Sequence, residues 1–249
     1  MSLLEDGDPA AAIAENAGAD APFLIVCDHA GRTIPRRLGT LGVPAAALEQ
    51  HIAWDIGALD LSRRLGEALG ASLIHQTYSR LVIDCNRAPD HPGSIVTMSD
   101  GWTIPGNRGL TPTQAQARRR EVFDPYHARI AAELDARLAR GVPTLLVLVH
   151  SFTPRMDGFD RPWHVGVLHL HDSPASFALL GRLRGEDGLV VGDNEPYAMD
   201  GTDYTAPVHR RGRGIDAVEL EIRQDLLQDP ASARRIADLF IRLLPTVAP

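Results

Sequence analysis

TLLVLVHSF, residues 144–152, places five apolar side chains in unbroken succession from Leu145 to Val149 and then turns polar at His150. Gly141-Val142-Pro143 punctuates its start. A run this short, bounded by turn residues and rich in Val and Leu, reads as a strand buried on both faces. A strand covered on both sides needs a helical layer on each side of its sheet, so the expected class is α/β. FLIVC (23–27) has the same character and ends at Asp28-His29-Ala30-Gly31.

Between the two runs, WDIGALDLSRRLGEALGA (54–71) carries Leu61, Leu65 and Leu69 at helical spacing, with Gly70 as a stop signal. SLIHQTY (72–78) and RLVIDCN (80–86) read as strands, followed by a Pro- and Gly-rich loop over 88–110. Thr111 is placed to cap a long helix reaching about Arg140. Downstream come HVGVLHL (164–170), a helix from about Pro174, LVVGDN (189–194) and AVELEIR (217–223). Asp229-Pro230 opens a last helix with proline at its first position. This alternation predicts a three-layer α/β/α single domain around a mostly parallel or mixed sheet. Residues 1–21 are expected to be a weakly structured N-terminal segment, and 22–249 the folded domain.

With 249 residues and 44% hydrophobic content, the chain is long enough for one well-buried core. A net charge of −7 with scattered arginines offers no basic stripe, which argues against nucleic acid and anionic membranes as partners. Cys27 and Cys85 lie far apart, each in an apolar run, and read as reduced thiols. The acidic, alanine-rich N-terminus lacks the features of a secretory signal, and no apolar run approaches bilayer length. The expected location is cytoplasmic.

The polar residues carry the functional signal. His29, the Asn86-Arg87 pair and His150 each follow an apolar run, at the strand ends where open α/β sheets bind ligands. Two imidazoles with a carboxylate suit a catalytic zinc site that keeps a position open for water. Taken singly, a strand-end histidine also suits a structural role, and Asp55 suits a helix cap. His169 and His171 form a competing His-x-His pair, since alternate strand residues share a face. His75, His91, His127 and His209 have no informative spacing and are expected at solvated or hydrogen-bonded surface positions. Glu219 and Glu221 alternate with Val218, Leu220 and Ile222, so both face one side of a strand, either a catalytic face or a solvated one.

CDHAGRTIP (27–35), HIAWDIGALDL (51–61), SRLVIDCNR (79–87), LVHSFTP (148–154), RPWHVGVLH (161–169) and VELEIRQDLL (218–227) together resemble, in matching order, the motifs of the N-formylglutamate amidohydrolase family. That family belongs to the wider group of zinc carboxypeptidases and aspartoacylases. The resemblance implies a zinc-carboxypeptidase-like fold, one zinc ion per chain, and hydrolysis of an amide next to a carboxylate. His29 and His150 match the group's histidine ligands. Arg32 stands where the wider group has a glutamate ligand, so the third ligand passes to Asp55, with His51 a substitute one helical turn earlier. Asn86 and Arg87 match residues that hold the substrate carboxylate in the aspartoacylase branch, and a guanidinium fork suits that task. Arg80 reinforces the field and Asp84 steadies an arginine; a structural Asp–Arg pair at the sheet rim is the alternative. Glu221 matches the general base, with Arg223 or Glu219 as its neighbour.

The substrate so implied is a small N-acyl amino acid, such as N-formylglutamate. Zinc would lower the pKa of water to about 7. A zinc carboxypeptidase or peptide amidase acting on a larger substrate, and a non-catalytic carboxylate-binding module, are the other classes that fit these residues. The Gly-rich stretch 193–214 reads equally as a lid or as a plain surface loop.

Overall fold

The computed structural model describes residues 2–199 and 201–249. Met1, in the N-terminal segment, and Asp200, in the 193–214 stretch, lie outside the described residues.

Seven strands form the central sheet: β1 (Ala12–Glu15), β2 (Phe23–Cys27), β3 (Ser72–Gln76), β4 (Leu145–Phe152), β5 (Val165–Leu168), β6 (Val191–Asp193) and β7 (Asp216–Arg223). Their spatial order is β1-β3-β2-β4-β7-β5-β6. The β3, β2, β4 and β7 neighbours run parallel, β1 pairs antiparallel with β3, and β5 antiparallel with β7. The sheet is therefore mixed with a parallel centre, and β4 is buried along all eight residues.

Helices α1 (Ala58–Leu69), α4 (Pro174–Leu183) and α6 (Pro230–Leu243) cover one face, packing Leu61, Leu65, Leu179, Leu183 and Phe240 on Ile25, Val147, Val149, Leu220 and Ile222. On the other face, α3 (Asp124–Ala139) packs Tyr126, Ile130 and Leu134 with Leu24, Val26, Leu146 and Leu148, and α2 (Pro112–Arg118) adds Ala117 to the same cluster. Thr111 caps α2 in a reciprocal capping box with Gln114. A π-helical stretch, Arg119–Phe123, joins α2 to α3 just before Pro125, whose missing N–H breaks a regular α ladder.

The chain leaves β2 toward β3 on one side and leaves β4 toward β5 on the other. The boundary between β2 and β4 is thus the point where the winding reverses, and a crevice opens there at the strands' C-terminal ends.

Two expectations are corrected. The N-terminal segment supplies β1, in register with β3 from Ala12 opposite Gln76 to Glu15 opposite Leu73. RLVIDCN is a buried loop and no strand. Arg118 donates to the carbonyl of Val82 at 2.8 Å and Asn107 to that of Leu81 at 2.9 Å, so distant side chains replace the ladder bonds that this apolar run lacks. Cys27 and Cys85 are free and buried.

Candidate active site

Three connections are stitched together at the crevice by their backbones. Asp55 N donates to His29 O at 2.9 Å, Arg80 N to Ala53 O at 3.2 Å, and Ser79 Oγ to Ala53 O at 2.7 Å. Gly31 lets the loop after β2 pass β3, because a Cβ there would stand 1.8 Å from Thr77 O. Gly57 adopts φ 81°, turning the chain between Asp55 and α1, and a Cβ there would meet Leu227 at 2.5 Å. Asp55 therefore sits in the turn ahead of the helix, and His51 is not one helical turn away from it; His51 faces Asp100 at 3.4 Å.

His29, Asp55 and His150 are all buried and each brings one ligand atom within 4.8 Å of the others. Asp55 Oδ2 lies 2.9 Å from His150 Nδ1 and 3.4 Å from His29 Nδ1, and accepts from Ser151 N at 3.2 Å. The far nitrogen of each ring meets another carboxylate: His29 Nε2 is 2.7 Å from Asp84 Oδ1, and His150 Nε2 is 3.3 Å from Asp28 Oδ2. Such outer carboxylates orient metal-binding imidazoles and raise their basicity. Arg80 clamps Asp84 Oδ2 through Nε at 3.1 Å and Nη2 at 2.6 Å, and reaches Asp55 Oδ1 at 3.3 Å.

On β7, Glu221 stands in register with His150, and Glu219 with Leu148. Both are buried on the cavity side and not solvated. Burial pushes the Glu221 carboxyl up to about 7 and the Glu219 carboxyl well above its usual range. Burial and Arg80 oppose protonation of His29, but Asp84 and Asp55 outweigh them and raise its pKa. For His150, Asp28 and Asp55 likewise overcome burial. Asp55 and Asp84 are held low against burial, Asp55 by His29 and His150 and Asp84 by Arg80 and His29.

Four buried carboxylates, from Asp55, Asp84, Glu219 and Glu221, thus line one cavity of about 410 Å³, and Asp28 lies buried behind His150. His29 Nδ1 and one oxygen each of Glu219 and Glu221 are buried without a hydrogen-bond partner among the described residues. This donor set, acidic and orphaned, fits a cation bound between His29, Asp55 and His150.

The other expected residues divide. Asn86 and Arg87 line the same cavity. Arg87 Nη1 donates to Asp203 at 2.7 Å and not to Asp84, whose partners are Arg80, His29 and the Asn86 N–H. Asn86 is engaged at both ends: its Oδ1 accepts from Tyr204 N and Thr205 N at 3.0 Å, and its Nδ2 donates to Asp203 and Glu219. Arg32 turns away to pair with Glu49 and lie over the Trp54 ring. Arg223 pairs with Asp225, and Glu221 has Asp55 and, two residues along the same face of β7, Glu219 as acidic neighbours. The His169 ring bonds Asp193 at 2.8 Å beyond the end of β5, and His171 is exposed, so the pair shares no strand face. His75, His127 and His209 are buried and not at the surface, with His127 and His209 2.9 Å apart between α3 and the short helix α5 (Thr205–Arg210).

Asp28 and Asp203 are the additions that structure makes. Asp28 lies two residues beyond Val26 and so in phase with the cavity face of β2. It accepts from Tyr126 Oη at 2.8 Å and Thr205 Oγ1 at 2.9 Å. Asp203 comes from the 193–204 connection, whose Tyr197, Ala198 and Thr202 also line the cavity.

Residues 21–228 match the family described as N-formylglutamate amidohydrolase. The chain belongs to that family. It is accordingly a hydrolase acting on an amide C–N bond. An N-formylglutamate deformylase of Pseudomonas putida is 26% identical over 229 residues, covering 82% of this chain and 80% of the relative. A crystal structure of a gene product from Agrobacterium tumefaciens is 37% identical, covers 98% of this chain and 97% of its own, and superposes with a TM-score of 0.95. The N-formylglutamate amidohydrolase of Ralstonia eutropha JMP134 shares the fold, with 21% identity, a TM-score of 0.69 and coverage of 96% of this chain and 98% of its own. No helix among the described residues is long and apolar enough to cross a membrane.

Proposed function

We propose that this family member removes the formyl, or a similar acyl, group from an N-acyl amino acid that bears a carboxylate, N-formylglutamate being the type substrate. The observation that carries this reading is the convergence of His29, Asp55 and His150 beside the buried Glu221, whose Oε2 has no hydrogen-bond partner among the described residues. Those three residues would hold one zinc ion, with residues 22–249 as the catalytic unit. Bound there, zinc would polarise the amide carbonyl and acidify water.

Glu221 acts as general base. It takes a proton from the attacking water as the new C–O bond forms, and returns it to the leaving nitrogen as the C–N bond breaks, giving formate and the free amino acid. A base with its pKa near the working pH can do both, and burial brings Glu221 to about 7. Arg87 grips the substrate carboxylate: Asp203 fixes Nη1, leaving Nη2 and Nε without a partner among the described residues. Asn86 positions Arg87 and the 203–205 backbone through bonds at both ends of its amide. Arg80 adds positive potential while steadying Asp84.

The test is a screen of N-formyl-, N-acetyl- and N-succinylglutamate and a short peptide with zinc-replete protein. Release of acid and free glutamate, fastest from a small acyl group, supports the reading. Preferential peptide cleavage, or carboxylate binding without turnover, overturns it.

A further inference from the structure

Three arginines are deeply buried: Arg118 at 1% exposure, Arg137 at 0% and Arg161 at 8%. None has a carboxylate within ion-pair distance among the described residues. Arg118 satisfies its guanidinium with Val82 O at 2.8 Å, Asn107 Oδ1 at 2.7 Å and Gly106 O at 3.2 Å. Arg137 does so with Thr144 Oγ1 and the carbonyls of Ala19 and Ala21. These two are structural, each surrounded by three oxygens.

Arg161 is different. Its Nη1 has one long contact, Thr153 O at 3.4 Å, and the Tyr197 hydroxyl at 3.0 Å; its Nη2 meets the thioether of Met156 at 3.0 Å. Nε has no partner among the described residues. The guanidinium lies 4.8 Å from the Tyr197 ring centre and 5.7 Å from that of Phe152. Aromatic faces return only part of the cost of burying a cation.

Its setting points toward the substrate. Met156 and Tyr197 both line the catalytic cavity. Phe152 follows His150 by two residues on β4, about 7 Å along the strand, a reach comparable with a glutamate side chain. The small hairpin Arg155–Met156/Phe159–Asp160 folds back so that Arg161 N bonds Pro154 O at 2.8 Å, and the arginine reaches the cavity through its contacts with the lining residues Met156 and Tyr197.

We infer that Arg161, braced by Tyr197, forms a second carboxylate subsite that reads the side-chain acid of the substrate. This rests on the proposed function, and it separates two tasks: Arg87 holds one carboxylate and Arg161 the other. The enzyme would then select N-acyl amino acids with an acidic side chain over isosteric amides, because an uncharged amide leaves the guanidinium unpaired.

The experiment compares N-formylglutamate with N-formylglutamine in wild-type, Arg161→Met, Arg161→Lys and Tyr197→Phe proteins, alongside calorimetric binding of glutarate and butyrate. For Arg161→Met, kcat/KM for the acid should fall roughly thirtyfold or more while that for the amide stays within about threefold. Arg161→Lys should fall between, since it keeps charge and loses the fork, and Tyr197→Phe should weaken the acid preference with folding intact. Glutarate should bind wild-type protein more tightly than butyrate, and that advantage should disappear in the arginine variants. Equal turnover of acid and amide by wild type, or glutarate binding unchanged by either arginine substitution, overturns the inference while leaving deformylation standing. If wild type hydrolyses neither compound, the proposed function fails, and the glutarate comparison still decides whether the subsite exists.

Discussion

The two faces of the central sheet are built from the same strands and serve opposite ends. Toward α1, α4 and α6, strands β2, β4 and β7 show Ile25, Cys27, Val147, Val149, Val218, Leu220 and Ile222, an unbroken apolar surface. Toward α3 they begin the same way, with Leu24, Val26, Leu146 and Leu148, and then change to Asp28, His150, Glu219 and Glu221. Each large apolar side chain on the first face contributes about 1.5–3 kcal/mol by burial. On the second face, buried carboxylates with orphaned oxygens lower stability in the free chain. One face holds the fold together, and the other gives up that gain where strand ends reach the cavity.

Breaking the polar face at the proposed metal site should have the largest effect. His29→Ala or His150→Ala should lose bound zinc and lower turnover roughly a thousandfold or more, the several kcal/mol that a metal supplies to such a reaction. His169→Ala should change neither, as read by elemental analysis beside a formate-release assay.

Breaking the apolar face should do the reverse. Leu220→Ala leaves a cavity in a fully buried position and should cost about 3 kcal/mol in urea denaturation. Its zinc content should stay at the wild-type level. A large change in metal content would mean that the two faces are not separable.

Glu221→Gln sharpens the contrast within the polar face. It should retain zinc and KM while kcat falls about a hundredfold. Its melting temperature should not drop, because a buried carboxylate is replaced by a neutral group. If Glu219→Gln shows that loss and Glu221→Gln does not, the base is Glu219.

The smallest effect lies at the far edge of this face, where burial, with His127 alongside, lowers His209 to about 3. A histidine unfolded near pKa 6.5 then binds more protons unfolded than folded, so its contribution to stability is present above pH 6.5 and lost as pH falls toward 3. Between pH 7 and 5 wild type should lose about 2 kcal/mol from this group. His209→Gln should show a shallower pH dependence in parallel denaturation curves.

What the sequence makes legible follows the same division. The runs FLIVC and TLLVLV and the alternation in VELEIR read as strands and form β2, β4 and β7, while the alternation in VELEIR leaves open whether its glutamates face a site or solvent. RLVI reads as a strand and is not one: an apolar run is also what a buried loop looks like when Arg118 and Asn107, distant in sequence, satisfy its backbone. Asp55 is readable by motif, but its place ahead of α1 depends on the positive φ of Gly57. The Arg87–Asp203 pair spans 116 residues and has no local signal. Asp28 did have one, its phase with Leu24 and Val26, eclipsed by the adjacent histidine.

The most direct measurement is a zinc titration of chelator-treated protein, following N-formylglutamate hydrolysis and bound metal together. Both should rise in proportion and level off at one zinc per chain, and His150→Ala should recover neither. Undiminished hydrolysis by the stripped protein, or full recovery by His150→Ala, would contradict a catalytic metal held by His29, Asp55 and His150.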